Sequence, residues 1–191
     1  MSPAKSTRTP ATEVRANLVA AGRRLLEKKG AAALTVRAVA TEAGVAPMGV
    51  YNHFDGKEGL LNAVVTDGFR ELATRIAATD ADASARLLSS GRQYRLFAIA
   101  SPTMYELMFS TECHPDDEVA AGAFEVLVDI IRYGQAARHI MDGEPYALAG
   151  QVWACVHGAV SLELLAPHPP TIAPADNYEQ LLTLIERGIA A

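Results

Sequence analysis

At 191 residues the chain has room for one domain or two small ones, taking roughly 150 residues per domain. Half of the residues are apolar and a fifth are charged, which excludes disordered, collagen-like and disulfide-scaffold classes. Two cysteines, Cys113 and Cys155, and a first segment without an apolar run fit a reducing compartment and no secretory signal. A cytoplasmic protein is expected.

The formal charge of −5 is unevenly spread. Residues 1–57 hold nine basic and four acidic side chains, a balance of +5 that leaves −10 for the rest. A basic head on an acidic body suits a polyanion bound at one end only. Residues 147–166 are apolar enough to suggest a membrane span, but Gln151, His157, Ser161 and Glu163 interrupt them. Such residues are costly in lipid and tolerated in a buried helix of a soluble core, so no membrane partner is expected.

Residues 1–10 mix Ser, Thr, Pro, Lys and Arg without periodicity and read as a flexible basic arm. Val14, Leu18, Ala21 and Leu25 then form the stripe of an amphipathic helix that ends at Gly30, after Lys28 and Lys29. Arg23, Arg24, Lys28 and Lys29 read as its solvated face. A short helix over 35–43 follows, with Thr35 placed to cap it, and Gly44 supplies a tight turn. Pro47 suits the first position of a third helix, 47–53, too short to stand without neighbours. Three short helices with a glycine turn between the second and third read as a helix-turn-helix.

A longer helix is expected from Lys57 to about Ala78, through Leu61, Val64, Val65, Gly68, Phe69, Leu72 and Ile76, before a break over 79–83. Apolar periodic segments follow near 84–100, 103–110, 117–140, 146–165 and 176–190. Pro102, Pro115, Pro145 and a proline cluster over 167–174 punctuate them. No alternating β-branched run interrupts, and the fold class expected is all-α.

Thr35, Ala40, Ala43-Gly44-Val45, Gly49, Tyr51, His53-Phe54, Lys57 and Leu60 stand at spacings that resemble the DNA-binding head of the tetracycline-repressor (TetR) family. The resemblance implies a helix-turn-helix DNA-binding domain over 11–57 and a helical effector-binding and dimerisation domain over 58–191. It implies that Thr35, Tyr51, His53 and Lys57 hold phosphates while Arg37, Pro47, Met48 and Gly49 face base edges. The physical reasons agree. Gly49 lets the backbone approach a groove, and Lys57 adds a cation to the free N–H groups that open a helix. Phosphate contacts fix register and base contacts give specificity. Two departures bear on the operator: Ala46 stands where the family often has Ser or Thr, and Met48 offers apolar contact, as to a thymine methyl. Phe54 has no polar handle and is expected in the core.

In the body, residues 94–109 and 152–164 resemble the regulatory half of a TetR subgroup with a Trp-x-x-x-His-Gly pattern, here Trp153, His157 and Gly158. The resemblance implies an effector cavity near Phe97, Met104, Tyr105, Met108, Phe109, Phe124, Trp153 and His157. Methionine suits an adaptable pocket, so a small apolar effector is expected, with Tyr105, Trp153 or His157 as its polar contacts. His157 on its own reads as a satisfied core or interface histidine. Gly150, Ala154 and Gly158 repeat every four residues and leave one helix face bare, and the last helix carries an apolar stripe that includes Leu181, Leu182 and Ile185. Both are expected to pair with their copies in a two-fold homodimer.

Cys113-His114 with Asp116, Asp117 and Glu118 forms no recognisable tetrahedral spacing, and neither metal nor cofactor is expected. No phosphate loop, nucleophile elbow or His-Glu-x-x-His pair occurs, so catalysis is not expected. The function expected is a DNA-binding regulator, a repressor that a small apolar effector releases from a palindromic operator. The alternatives are a helical protein-interaction module with a similar head, and an activator of the same fold.

Overall fold

A computed structural model describes residues 10–165 and 173–191 of the chain. The basic arm, apart from Pro10, lies outside the described residues, as does most of the proline cluster.

The described backbone is helical. Helix α1 (Ala11–Lys29) buries Leu18, Ala21, Leu25 and Leu26 and ends where the Gly30 N–H donates to the Leu26 carbonyl at 2.8 Å. After a 3-10 turn at Ala31–Ala33, α2 (Val36–Ala43) starts on the Thr35 hydroxyl, which accepts the Ala38 N–H at 3.2 Å. Gly44 closes α2 at φ 70°, the left-handed region that a β-carbon strains. Helix α3 (Pro47–His53) places Pro47 in its first turn and buries only Val50, so its neighbours hold it. Helix α4 (Gly56–Ile76) begins one residue before Lys57 and stops two short of the expected end.

The body adds α5 (Ala83–Ala100), α6 (Pro102–Met108), α7 (Asp117–Ala136), α8 (Pro145–Leu165) and α9 (Pro174–Gly188). Asp82 and Asp116 cap α5 and α7, accepting the Ala85 N–H at 2.8 Å and the Val119 N–H at 3.0 Å. Pro102, Pro145 and Pro174 each open a helix, where a missing N–H costs nothing. Helix α7 ends four residues before the expected 140. The chain turns at Arg138 (φ 56°), and Ile140 forms an antiparallel bridge with Ala190 that pins the C-terminus.

Helix α4 is the wall shared by head and body. It packs on α1 and α3 at one end and on α5, α6 and α7 along the rest. Leu60, Val64, Val65, Phe69, Leu72 and Ile76 are its large buried apolar residues, each fully buried aliphatic or aromatic side chain contributing about 1.5–3 kcal/mol. Gly68 is the notch that seats α6: a β-carbon there would lie 2.8 Å from the Met104 sulfur and 3.0 Å from that of Met108. Phe54 is buried, as expected, beneath the Arg15 guanidinium 5.1 Å from its ring centroid.

Candidate functional site

The head presents an outward surface built from the start of α2, all of α3 and the start of α4. Thr35, Arg37, Pro47, Met48, Tyr51 and Lys57 are exposed there, and Gly49 and His53 are half-buried. Met48 and Tyr51 are 66% and 58% exposed, although apolar or aromatic, so the described residues leave them uncovered. The Thr35 hydroxyl accepts the helix cap and retains its own O–H to donate. A β-carbon on Gly49 would make only an ordinary 3.5 Å contact with Val45. Packing within the chain therefore does not require glycine at 49.

Behind this surface, Arg23 departs from the solvated role expected of it. Its guanidinium donates to Asp67 at 3.1 Å and also to Glu71, tying α1 to α4. Burial opposes the Arg23 charge, but the bonds to Glu71 and Asp67 outweigh it and hold the group above its usual range. Burial would raise Glu71, yet the Arg23 and Arg75 guanidinium groups hold it below the usual carboxylate value. Arg24 pairs with Glu42 on α2 at 2.9 Å.

The body holds a partly open cavity of about 310 Å³ between α4, α5, α7, α8 and α9. Of the residues expected to line it, Phe109, Phe124 and Trp153 do. Phe97, Met104 and Met108 do not. They are buried in solid packing, the two methionines against Gly68. Tyr105 and His157 open instead onto a second cavity of about 260 Å³, between α6 and the end of α8, with Phe109 lining both. The sequence reading missed Tyr94, Ser90, Leu72, Val152 and Val156 on the main cavity wall. Their helical periodicity is that of ordinary core, and only the closing of the helices around a space distinguishes them.

Between the two cavities stands a cluster of polar rings. The Tyr94 and Tyr105 hydroxyls each lie 2.8 Å from His157 Nδ1 and 3.2 Å from each other. The Trp153 indole N–H donates to the Tyr94 hydroxyl at 3.4 Å. Burial pushes both phenols up and the imidazole down, so all three are neutral at ordinary pH.

Two surfaces of the body are left uncovered by the described residues. On α8, Ala154 is exposed, and a β-carbon on Gly150 or Gly158 would meet nothing within 4 Å. Leu162 and Leu165, at 64% and 75% exposure, extend the face. Helix α8 buries Leu148, Ala149, Val152, Val156 and Val160 along one side and leaves the rest uncovered by the described residues, with 28% of its apolar window buried. On α9 the expected stripe splits. Leu182 and Ile185 turn inward and line the main cavity, so neither is available to a partner, whereas Leu181 is half-buried and Leu184 is 66% exposed. The helical repeat separates 182 and 185 from 181 and 184. Among the described residues, no group of three or more His, Cys, Asp or Glu is placed to hold a metal.

Comparison with known proteins agrees with this geometry. Residues 18–64 match the bacterial regulatory proteins of the tetR family, and residues 87–185 match a tetracyclin repressor-like C-terminal domain. The chain is 30% identical to an uncharacterized HTH-type transcriptional regulator of Mycobacterium tuberculosis, Rv0681, over 84% of this chain and 74% of that protein. It is 25% identical to the HTH-type transcriptional regulator Mb1846 of Mycobacterium bovis over 82% of each chain. A protein of unknown function from Rhodococcus sp. RHA1 superposes with a TM-score of 0.76 at 25% identity over the whole of both chains. A tetR-family regulatory protein from Rhodococcus RHA1 shares the fold, with a TM-score of 0.67 at 21% identity over 94% of this chain and 98% of that one.

Proposed function

The chain belongs to the tetracycline-repressor family of transcriptional regulators, and from that premise we propose that it is a homodimeric repressor released from a palindromic operator by a small, apolar effector. The family's members are DNA-binding regulators rather than enzymes. The observation that carries the finer reading is that one helix, α4, walls both the head and the apolar cavity of the body.

In this reading α3 enters the major groove. Arg37, Pro47, Met48 and Gly49 face base edges, and Thr35, Tyr51, His53 and Lys57 grip phosphates on either side. The bare face of α8, with Gly150, Ala154 and Gly158, joins Leu181 and Leu184 of α9 to make the two-fold contact. The dimer sets the two heads about 34–36 Å apart, one turn of duplex. An effector that fills the cavity better in the conformation unable to bind DNA shifts the population away from the operator. Such a regulator works in the cytoplasm, beside the chromosome.

Selection from random-sequence duplex at fixed salt, with the mass of the free protein measured alongside, tests the reading. Enrichment of a palindrome by a dimer is the expected result. Salt-sensitive binding without enrichment overturns it.

A further inference from the structure

Resting on the reading of α3 as the helix that enters the groove, we propose that Asn52, which none of the expected contacts includes, reads an adenine in each half-site through its side-chain amide, close to the thymine methyl that Met48 touches.

The register of α3 singles this residue out. Val50 is the buried residue of the helix and fixes its inward direction. At about 100° per residue, Met48 and Asn52 each stand about 160° from Val50, so one turn apart they form the outermost ridge of the helix. Tyr51 and Gly49 lie on its two flanks, about 100° from Val50. Asn52 is exposed, as are Met48 and Tyr51. The side-chain hydrogen bonds of the described head run through Arg23, Arg24, Thr35 and Thr41, and none engages the Asn52 amide.

The chemistry of the amide names the base. It carries a donor and an acceptor side by side, which meet N7 and the N6 amino group of adenine in the major groove. Guanine presents two acceptors there, cytosine a single donor and thymine a single acceptor, so none of them satisfies both halves of the amide. An asparagine stem is short, and its contact with a base needs the helix backbone close to the groove. Gly49, three residues before Asn52 and on the adjoining flank, gives that closeness. Packing does not ask for glycine there, since a β-carbon would only touch Val45 at an ordinary 3.5 Å. Four residues of helix rise about 6 Å, so the adenine and the thymine stand at most about two base-pair steps of 3.4 Å apart.

The duplex selected from random sequence supplies the test. Each of its adenines is replaced in turn by 7-deazaadenine, which lacks the N7 acceptor, or by purine, which lacks the N6 amino group. In gel-shift titrations one adenine of each half-site is expected to respond to both, each replacement lowering affinity about ten-fold for one lost hydrogen bond. The same replacements should cost Asn52→Ala nothing. That variant should bind the operator about ten- to a hundred-fold more weakly than the parent and unrelated duplex equally well. Alanine at an exposed helical position favours the helix, so its melting temperature should not fall.

A response to the analogues that survives Asn52→Ala overturns the proposal. So does an equal loss on operator and unrelated duplex, which is the mark of a phosphate contact. The analogue series on the unaltered protein decides the matter alone if the variant does not fold. A palindrome that enriches yet tolerates both analogues at every adenine overturns the assignment of Asn52 and leaves the regulator standing. A selection that enriches no sequence overturns the regulator reading, and the assignment with it.

Discussion

Arg23 on α1 and Asp67 on α4 meet at 3.1 Å, and the same guanidinium reaches Glu71 one turn further along. One half-buried cation therefore holds the first helix of the head against the helix that walls the body's cavity. Arg23→Ala leaves two carboxylates facing each other without it. Charge-assisted bonds of this kind carry about 1.5–3 kcal/mol each, less where water reaches them, so a loss of about 2 kcal/mol in urea unfolding is expected. An unchanged midpoint would show that the pair is idle.

The same contact sets a pH dependence. Glu71 binds its proton less readily in the folded state than in the unfolded chain, whose value is near the ordinary 4.5. The unfolded state thus takes up more protons on acidification. Its contribution is complete above about pH 4.5 and is lost as pH falls through the depressed folded value. Glu71→Gln should lower stability at neutral pH, where the contribution is complete, and flatten the profile in the acid window. Urea melts at a series of pH values check both.

Gly49 separates folding from binding. Because a β-carbon at 49 makes only a 3.5 Å contact with Val45, Gly49→Ala should fold as well as the parent or better, by up to about 1 kcal/mol of helix propensity. Affinity for the selected duplex should fall nonetheless, since the methyl group stands between α3 and the groove. Thermal melting beside a gel-shift titration reads both. A variant that is more stable and equally tight would remove Gly49 from the DNA face.

The phosphate contacts have their own signature. Tyr51→Phe should weaken binding to operator and unrelated duplex alike. Lys57→Ala should also lower the slope of log affinity against log salt by about one. Loss confined to the operator would make either residue a base reader.

The outer faces of α8 and α9 lead to a contrast between two leucines of α9. Leu184→Glu puts a charge on an exposed apolar face and should yield a folded monomer by analytical ultracentrifugation. Leu182→Ala enlarges a buried wall and should cost about 2–5 kcal/mol of stability while the dimer persists at low temperature. The opposite pairing of outcomes would place the two-fold contact on another surface.

By itself the sequence determined the helices and much of where they start and stop. The rules involved are local: the Thr35 cap, the left-handed turn at Gly44, and the prolines at 47, 102 and 145 each act within a few residues. The head's spacing of Thr35, Gly44, Gly49, Tyr51 and Lys57 was legible for the same reason, since three short helices fix one another's geometry over few residues. The body was decided only by tertiary structure. Whether Phe109 borders a space and Phe97 does not, whether Leu182 faces in and Leu184 out, and whether Arg23 meets water or Asp67 depends on how helices far apart in the chain pack. Apolar periodicity says that a face is covered. It does not say whether the cover is another helix, a cavity or a second copy of the chain.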